Sequence, residues 1–213
     1  MKDWPKLLFF TCIVRPLVLI ILGLNIRHRQ HLPATGPAIV VANHNSHLDT
    51  LVLMSLFPLA QLQRLRPVAA ADYFMANPLL AWFATRVIGI IPIERKNRDG
   101  HHDPLAPVQA ALEQGDIIII FPEGTRGQPE RMQKFKSGVI HLAKAHATAP
   151  IIPVFLHGLG KSLPKGEGLL VPFFCDVFVG PALYWQGDRT LLMQQLEQQM
   201  EALASEQGHA AWD

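Results

Sequence analysis

At 213 residues the chain is long enough for one domain with a substantial core, and two domains would be cramped. Hydrophobic residues make up 49% and charged residues only 17%, a balance that points to membrane contact or to a large apolar groove. A formal net charge of +2, with no basic helix carrying interleaved aromatics, excludes nucleic acid as a partner.

Residues 7–24 read LLFFTCIVRPLVLIILGL, with Lys2 and Lys6 before them and Arg27 and Arg29 after. As a helix this stretch would reach ~27 Å, short of a ~30 Å hydrocarbon core. Arg15 near its centre opposes insertion by about 3 kcal/mol, and Pro16 bends or breaks the helix there. The expectation is a bent segment lying in one leaflet, with its ends at the cytoplasmic surface; the alternative is a buried core helix. A membrane-associated segment over residues 1–26 and a second unit over residues 27–213 follow. Leu32-Pro33-Ala34-Thr35-Gly36 matches a sortase pentapeptide but precedes the bulk of the chain instead of ending it, so it is read as a turn.

Ala38-Ile39-Val40-Val41-Ala42 has strand character and breaks into Asn43-His44-Asn45-Ser46-His47-Leu48-Asp49-Thr50, which runs into the apolar start of a helix. His44 and Asp49 thus fall at a strand-to-helix junction, where Asp49 or Ser46 suits a cap and the dipole favours a carboxylate. If the turn folds His44 over Asp49, the carboxylate fixes the tautomer and leaves the other ring nitrogen as a base. That is a catalytic triad without its serine, so the nucleophile would be a hydroxyl of the substrate.

Further on, residues 66–70 read as a short strand, and Asn77-Pro78 opens a helix through Ile88 whose apolar residues leave almost no polar face, predicting burial or, as the alternative, the lining of an apolar channel. Residues 90–93 form a strand that delivers Glu94-Arg95. A helix runs from Asp103 to Gly115, and Ile117-Ile118-Ile119-Ile120-Phe121 has the pattern of a strand covered on both faces. A helix over 137–147, strands over 151–155 and 176–179, and a final amphipathic helix capped by Asp188 complete the order. Alternating strands and helices predict a single α/β domain with a largely parallel, helix-covered sheet. Cys12 and Cys175 read as buried thiols, and no His or Cys cluster has metal-site spacing.

Directly after the isoleucine strand comes Phe121-Pro122-Glu123-Gly124-Thr125-Arg126-Gly127. Glycines that allow close approach, a hydroxyl and an arginine at a strand's C-terminal end suit an anion site. Arg95 offers a second guanidinium, and Lys134 and Lys136 add charge at the next helix start.

Four ordered blocks, Asn43-His44-x-Ser46-x-x-Asp49, Gly89 through Arg95, Phe121 through Arg126 and Ile152-Pro153-Val154, resemble those of the glycerolipid acyltransferase family. The resemblance spans roughly residues 38–156; Pro92 and Gly127 stand where the family usually carries Phe and Ser, which bears on the acceptor pocket. It implies a glycerol-3-phosphate acyltransferase-like fold and an enzyme that moves a fatty acyl group from an acyl thioester to a lysolipid hydroxyl. The expected acceptor is 1-acyl-sn-glycerol-3-phosphate and the expected product phosphatidic acid. Other acceptors, such as lyso-ornithine lipid or a lysophospholipid, remain alternatives, with a thioesterase or lipid hydrolase ranked below them. By resemblance, His44 and Asp49 are catalytic, and Arg95, Glu123, Gly124, Thr125 and Arg126 hold the acceptor, with Glu123 bracing an arginine or a glycerol hydroxyl. No metal or resident cofactor is expected; acyl-CoA or acyl carrier protein supplies the thioester. The implied location is the cytoplasmic side of a bacterial inner membrane, with bilayer lipid as a partner.

Overall fold

The β-branched runs assemble into one sheet. The computed structural model describes residues 4–20, 22–46, 48–75, 77–94, 103–125, 132–159 and 173–206. N-terminal helices α1 (Trp4–Phe9) and α2 (Arg15–Ile20) lead into strand β1 (Leu22–Arg27). β2 (Ala38–Ala42) is followed by α3 (Leu48–Ser55), β3 (Leu65–Ala70), α4 (Ala71–Phe74), α5 (Pro78–Trp82) and β4 (Ile91–Ile93). Then come α6 (Ala106–Glu113), β5 (Ile117–Ile120), α7 (Gly138–Ala145), β6 (Ile151–His157), β7 (Phe173–Val179) and α8 (Arg189–Ser205).

Among the described residues the seven strands lie in the order β1-β7-β6-β2-β5-β3-β4. β2 sits in the middle, parallel to β5 on one side and β6 on the other, with Val40 opposite both Ile119 and Ile152. β3 and β4 continue the parallel half; β7 is antiparallel to β6, and β1 runs parallel to β7. The expected single α/β domain with a largely parallel sheet is what forms.

Every residue of β2 and β5 is buried, because successive side chains enter opposite cores. Val40, Ile117 and Ile119 join Val52, Leu53 and Met54 of α3, together with Phe10, Val14 and Val18 from the N-terminal segment. Ile39, Val41, Ile118 and Ile120 join α6, α7 and the apolar stripe Leu192, Leu196, Met200 and Leu203 of α8. Asp188 caps α8 as expected, its Oδ1 accepting from the Thr190 and Leu191 amides.

Three expectations are corrected. The helix does not run through residue 24: it passes through a π-helical turn at Phe10–Val14 just before Pro16, which has no amide to donate, and stops at Ile20, with β1 beginning at Leu22. Gly23 and Asn25 favour a helix poorly, and pairing with β7 satisfies that backbone instead. β1 therefore crosses the boundary drawn at residue 26. Arg15 does not lie in an apolar environment unpaired; its Nη2 donates to the Phe57 carbonyl at 3.0 Å, as Arg29 Nη2 does to Leu56 at 2.8 Å. Both cations thus cap the carbonyl end of α3 and fasten the segment to the domain. Among the described residues no helix is long and apolar enough to cross a membrane.

The helix from Asn77 is the second correction. Asn77 caps it, Oδ1 accepting from the Leu79 amide at 2.9 Å, but it is not buried. Leu79 is 80% and Trp82 56% exposed, because the helix has a partner on one side only, where Phe83 meets Phe9 edge to face at 5.1 Å. The third concerns Cys12, which is exposed beside Ile13, while Cys175 is buried as expected.

Candidate active site

The backbone leaves β2 at Ala42 and must turn into α3 within a few residues, and nearly every polar group in that turn is spoken for. Asn43 and Asn45, both buried, reach across to the carbonyl of Leu156 on β6, Asn45 Nδ2 at 3.1 Å. Between them His44 is held so that its Nδ1 lies 2.9 Å from Asp49 Oδ2. The same oxygen accepts the amides of Asn45 at 2.6 Å and Ser46 at 2.8 Å, with Asp49 fully buried at the first turn of α3. An oxygen taking two amides is an acceptor, so Nδ1 carries the proton and Nε2 presents a lone pair. Nε2 has no hydrogen bond among the described residues. The ring stacks on Phe121, centroids 4.2 Å apart, and its side chain is 19% exposed at a cleft of about 1010 Å³.

The turn after β5 forms the other side. Gly124 donates its amide to the Phe121 carbonyl at 3.0 Å with φ +73°, a left-handed conformation that favours glycine. A Cβ there would stand 2.5 Å from Lys136 Nζ, so the glycine also makes room for the ammonium. Lys136 is tied to the same turn by its amide on the Pro122 carbonyl at 2.9 Å. Gly124, Thr125, Lys136 and His141 line the cleft with His44; Leu51, Val68, Ile90, Ile93 and Val139 give it apolar walls. Glu123 faces away: it is 3% exposed, and its Oε1 accepts the His44 amide at 3.0 Å. Burial raises its pKa, and the charge of Asp49 adds to this; the amides of His44 and Gln133 and the His44 ring pull the other way.

Five of the residues singled out in the sequence, His44, Asp49, Glu123, Gly124 and Thr125, therefore come together in one place. Arg95 and Arg126 lie outside the described residues, as do His101, His102 and Gly127. Sequence reasoning missed the roles of Asn43 and Asn45, since a sidechain amide before or after a loop His carries no mark of the strand it will reach. Lys136 was visible as local charge; His141 had no signal, being one polar residue on an apolar helix. The geometry has the parts for removing a proton from a hydroxyl held in the cleft: an oriented imidazole with a free nitrogen, and a cation on the same wall.

Residues 23–157 match the Acyltransferase family, and the chain belongs to that family. It is 32% identical over 149 residues to the chloroplastic 1-acyl-sn-glycerol-3-phosphate acyltransferase of Arabidopsis thaliana, covering 69% of this chain and 40% of that protein. It is 34% identical over 166 residues to 1-acyl-sn-glycerol-3-phosphate acyltransferase alpha of Mus musculus, covering 76% and 55%. With the 1-acyl-sn-glycerol-3-phosphate acyltransferase of Pseudomonas aeruginosa it shares 29% identity over 183 residues, covering 85% and 67%. The chain thus spans about half the length of the plant and mammalian relatives. The crystal structure of the 1-acyl-sn-glycerophosphate acyltransferase of Thermotoga maritima superimposes with a TM-score of 0.75 over 99% of this chain and 81% of that one. At 19% identity this is a shared fold.

Proposed function

We propose that the chain is an O-acyltransferase that moves a fatty acyl group from an acyl thioester to the free hydroxyl of a lysolipid, with 1-acyl-sn-glycerol-3-phosphate as acceptor and phosphatidic acid as product. The observation that carries this reading is the 2.9 Å contact between His44 Nδ1 and Asp49 Oδ2 at the wall of a large, mostly apolar cleft. The acceptor is taken from the relatives, whose names share it.

His44 Nε2 takes the proton of the acceptor hydroxyl as its oxygen attacks the thioester carbonyl. The tetrahedral intermediate collapses with loss of the C–S bond, and the thiolate recovers the proton from the imidazolium. The substrate alcohol is itself the nucleophile, so no acyl-enzyme forms. General-base assistance of this kind contributes ~10²–10⁴ in rate, with positioning adding to it. Lys136 and Thr125, joined by Arg126 and Arg95, meet the acceptor phosphate, while Gly124 allows its close approach. Coenzyme A or acyl carrier protein brings the acyl group as a co-substrate, and the protein holds no cofactor of its own.

The acceptor and product are bilayer lipids, and drawing an acyl chain into water costs ~0.8 kcal/mol per CH₂. The exposed Trp4, Leu8, Ile13 and Ile20 of the N-terminal segment, with Leu79 and Trp82 of α5, support docking in one leaflet. The cytoplasmic side of the inner membrane is the location that fits soluble thioester donors. Mass spectrometry of the lipids formed from mixed lysolipids and a labelled acyl thioester tests the assignment. Labelled phosphatidic acid as the main product is expected; labelled free fatty acid alone would mean hydrolysis instead.

A further inference from the structure

We infer that Glu123 is a positioning residue for the base, not a ligand of the acceptor: it clamps the His44 peptide to the turn whose outer face forms the cleft wall. The inference rests on the acyl-transfer reading for its kinetics, and on geometry for its substance. Gly124 and Thr125 line the cleft, and Glu123 beside them does not. Its Oε1 is occupied by the His44 amide at 3.0 Å, its Oε2 is buried, and the Gln133 amide also reaches this carboxylate. Neither oxygen is therefore open to a glycerol hydroxyl or a phosphate entering the cleft.

The position of His44 explains the need for such a clamp. A residue just beyond the end of β2 has lost the ladder that would satisfy its amide, and a buried unmatched N–H costs about 1–3 kcal/mol. Asn43 and Asn45 tie the flanking residues to β6, and Asp49 ties the ring and the next two amides to α3. Glu123 supplies the remaining tether, to the turn after β5. A ligand that pulls on Gly124 and Thr125 thus pulls, through one residue, on the backbone of the base. Acceptor seating and base alignment become one event.

The test compares Glu123→Gln, Glu123→Asp and Glu123→Ala in the full chain, with acceptor-varied kinetics on 1-acyl-sn-glycerol-3-phosphate and the low-field Nδ1–H proton resonance of the His44–Asp49 pair. Glu123→Gln keeps a carbonyl oxygen for the amide, so kcat stays within a few-fold and the resonance persists. Glu123→Ala lowers kcat by roughly 10–100-fold, the scale of a small misplacement of a catalytic group, with acceptor KM within about twofold and the resonance shifted or lost. A tenfold rise in acceptor KM with kcat kept overturns the proposal, as does Glu123→Gln failing as badly as Glu123→Ala. If Glu123→Ala does not fold, Glu123→Gln decides: retained acceptor KM supports the clamp, and lost acceptor affinity overturns it. The resonance reads the clamp independently of turnover, so an unperturbed signal in Glu123→Ala overturns it while leaving the acyl-transfer reading intact. Absence of any acylated product from the parent protein overturns that reading and leaves the resonance to decide the clamp.

Discussion

Asn43 and Leu156 exchange two hydrogen bonds, Asn43 Nδ2 donating to the Leu156 carbonyl at 2.9 Å and the Leu156 amide donating to Asn43 Oδ1 at 2.7 Å. The last backbone pair between β2 and β6 is Ala42 with Val154. Beyond it the main chain of β2 departs toward His44, and a sidechain amide, which has the same donor and acceptor as a peptide, continues the ladder for one more step. The base is thereby carried to the end of the sheet on a rigid support.

Asn43→Ala should therefore leave the Leu156 amide short of a partner in a buried place, at about 1–3 kcal/mol for an unmatched group. Denaturant unfolding checks this through the midpoint at unchanged slope. Asn45 still reaches the Leu156 carbonyl, so a loss near the lower end of that range is expected. A midpoint equal to that of the parent would mean that the ladder extension contributes nothing.

Asp49→Asn tests what the charge of the carboxylate contributes. Asp49 Oδ2 accepts from Nδ1 of His44 and from two amides at once, and an amide side chain has one acceptor oxygen and one nitrogen that cannot accept. An amide oxygen in the place of Oδ2 keeps all three, with the nitrogen where Oδ1 stands, so what the variant loses is the negative charge that stabilises the imidazolium formed in the reaction. A fall in kcat of about 10²–10⁴ is expected for this variant and for His44→Ala, with circular dichroism unchanged. Activity within threefold of the parent in His44→Ala would remove the imidazole from the chemistry.

The strand runs were legible because continuous β-branched segments such as Ile117–Ile120 have few ways to be buried other than in a two-sided sheet. The His44–Asp49 pair and the 121–125 turn were legible because their spacing and residue types are tied to local geometry. β1 was not, since Leu22 and Leu24 continue an apolar helical run and only the distant β7 gives them a ladder. Nor was the exposure of α5: hydropathy reports that Leu79 and Trp82 shun water, and cannot say whether protein or something else covers them. The orientation of Glu123 was also hidden, because a turn residue faces in or out according to a partner, here the His44 amide, that lies 79 positions away.

The buried Glu123 carboxyl predicts a pH-dependent stability. Its pKa in the fold is raised above the ordinary value of 4.5, chiefly by burial, so the protonated form is favoured by folding. That contribution is fully present below the unfolded-state value and is lost as pH rises through the folded-state value. Glu123→Gln does not titrate. Its stability relative to the parent should therefore be greatest at neutral pH and decline as the medium is acidified toward pH 4.5. Unfolding midpoints of the two proteins measured across that window check the sign; a variant-minus-parent difference that rose on acidification would contradict it.

Gly124→Ala strikes the cleft wall through two effects. A left-handed conformation costs an alanine about 1–2 kcal/mol, and the new methyl would stand 2.5 Å from Lys136 Nζ. The ammonium must swing away from the turn. Acceptor KM should rise several-fold, and Lys136→Met, which removes the cation and not the turn, should reproduce the KM effect while sparing stability. Unchanged acceptor kinetics in Lys136→Met would show that the ammonium does not meet the phosphate.

The exposed apolar face supplies the last test. Ile20 is 82%, Leu79 80%, Trp4 68% and Trp82 56% exposed, so none of these side chains holds the domain together by burial. Replacement of Leu79 or Trp82 by Glu should change unfolding free energy by no more than about 0.5 kcal/mol, the usual range for a surface site. The same changes place a charge where a leaflet would receive an apolar group, and binding to phospholipid vesicles should weaken by at least tenfold in a flotation assay. Turnover of lysolipid presented in vesicles should fall in parallel, while turnover of a short-chain acceptor in free solution should not, because His44 and the 121–125 turn are untouched. Loss of both activities together would place α5 in the architecture of the cleft, and vesicle binding equal to that of the parent would remove this face from membrane contact.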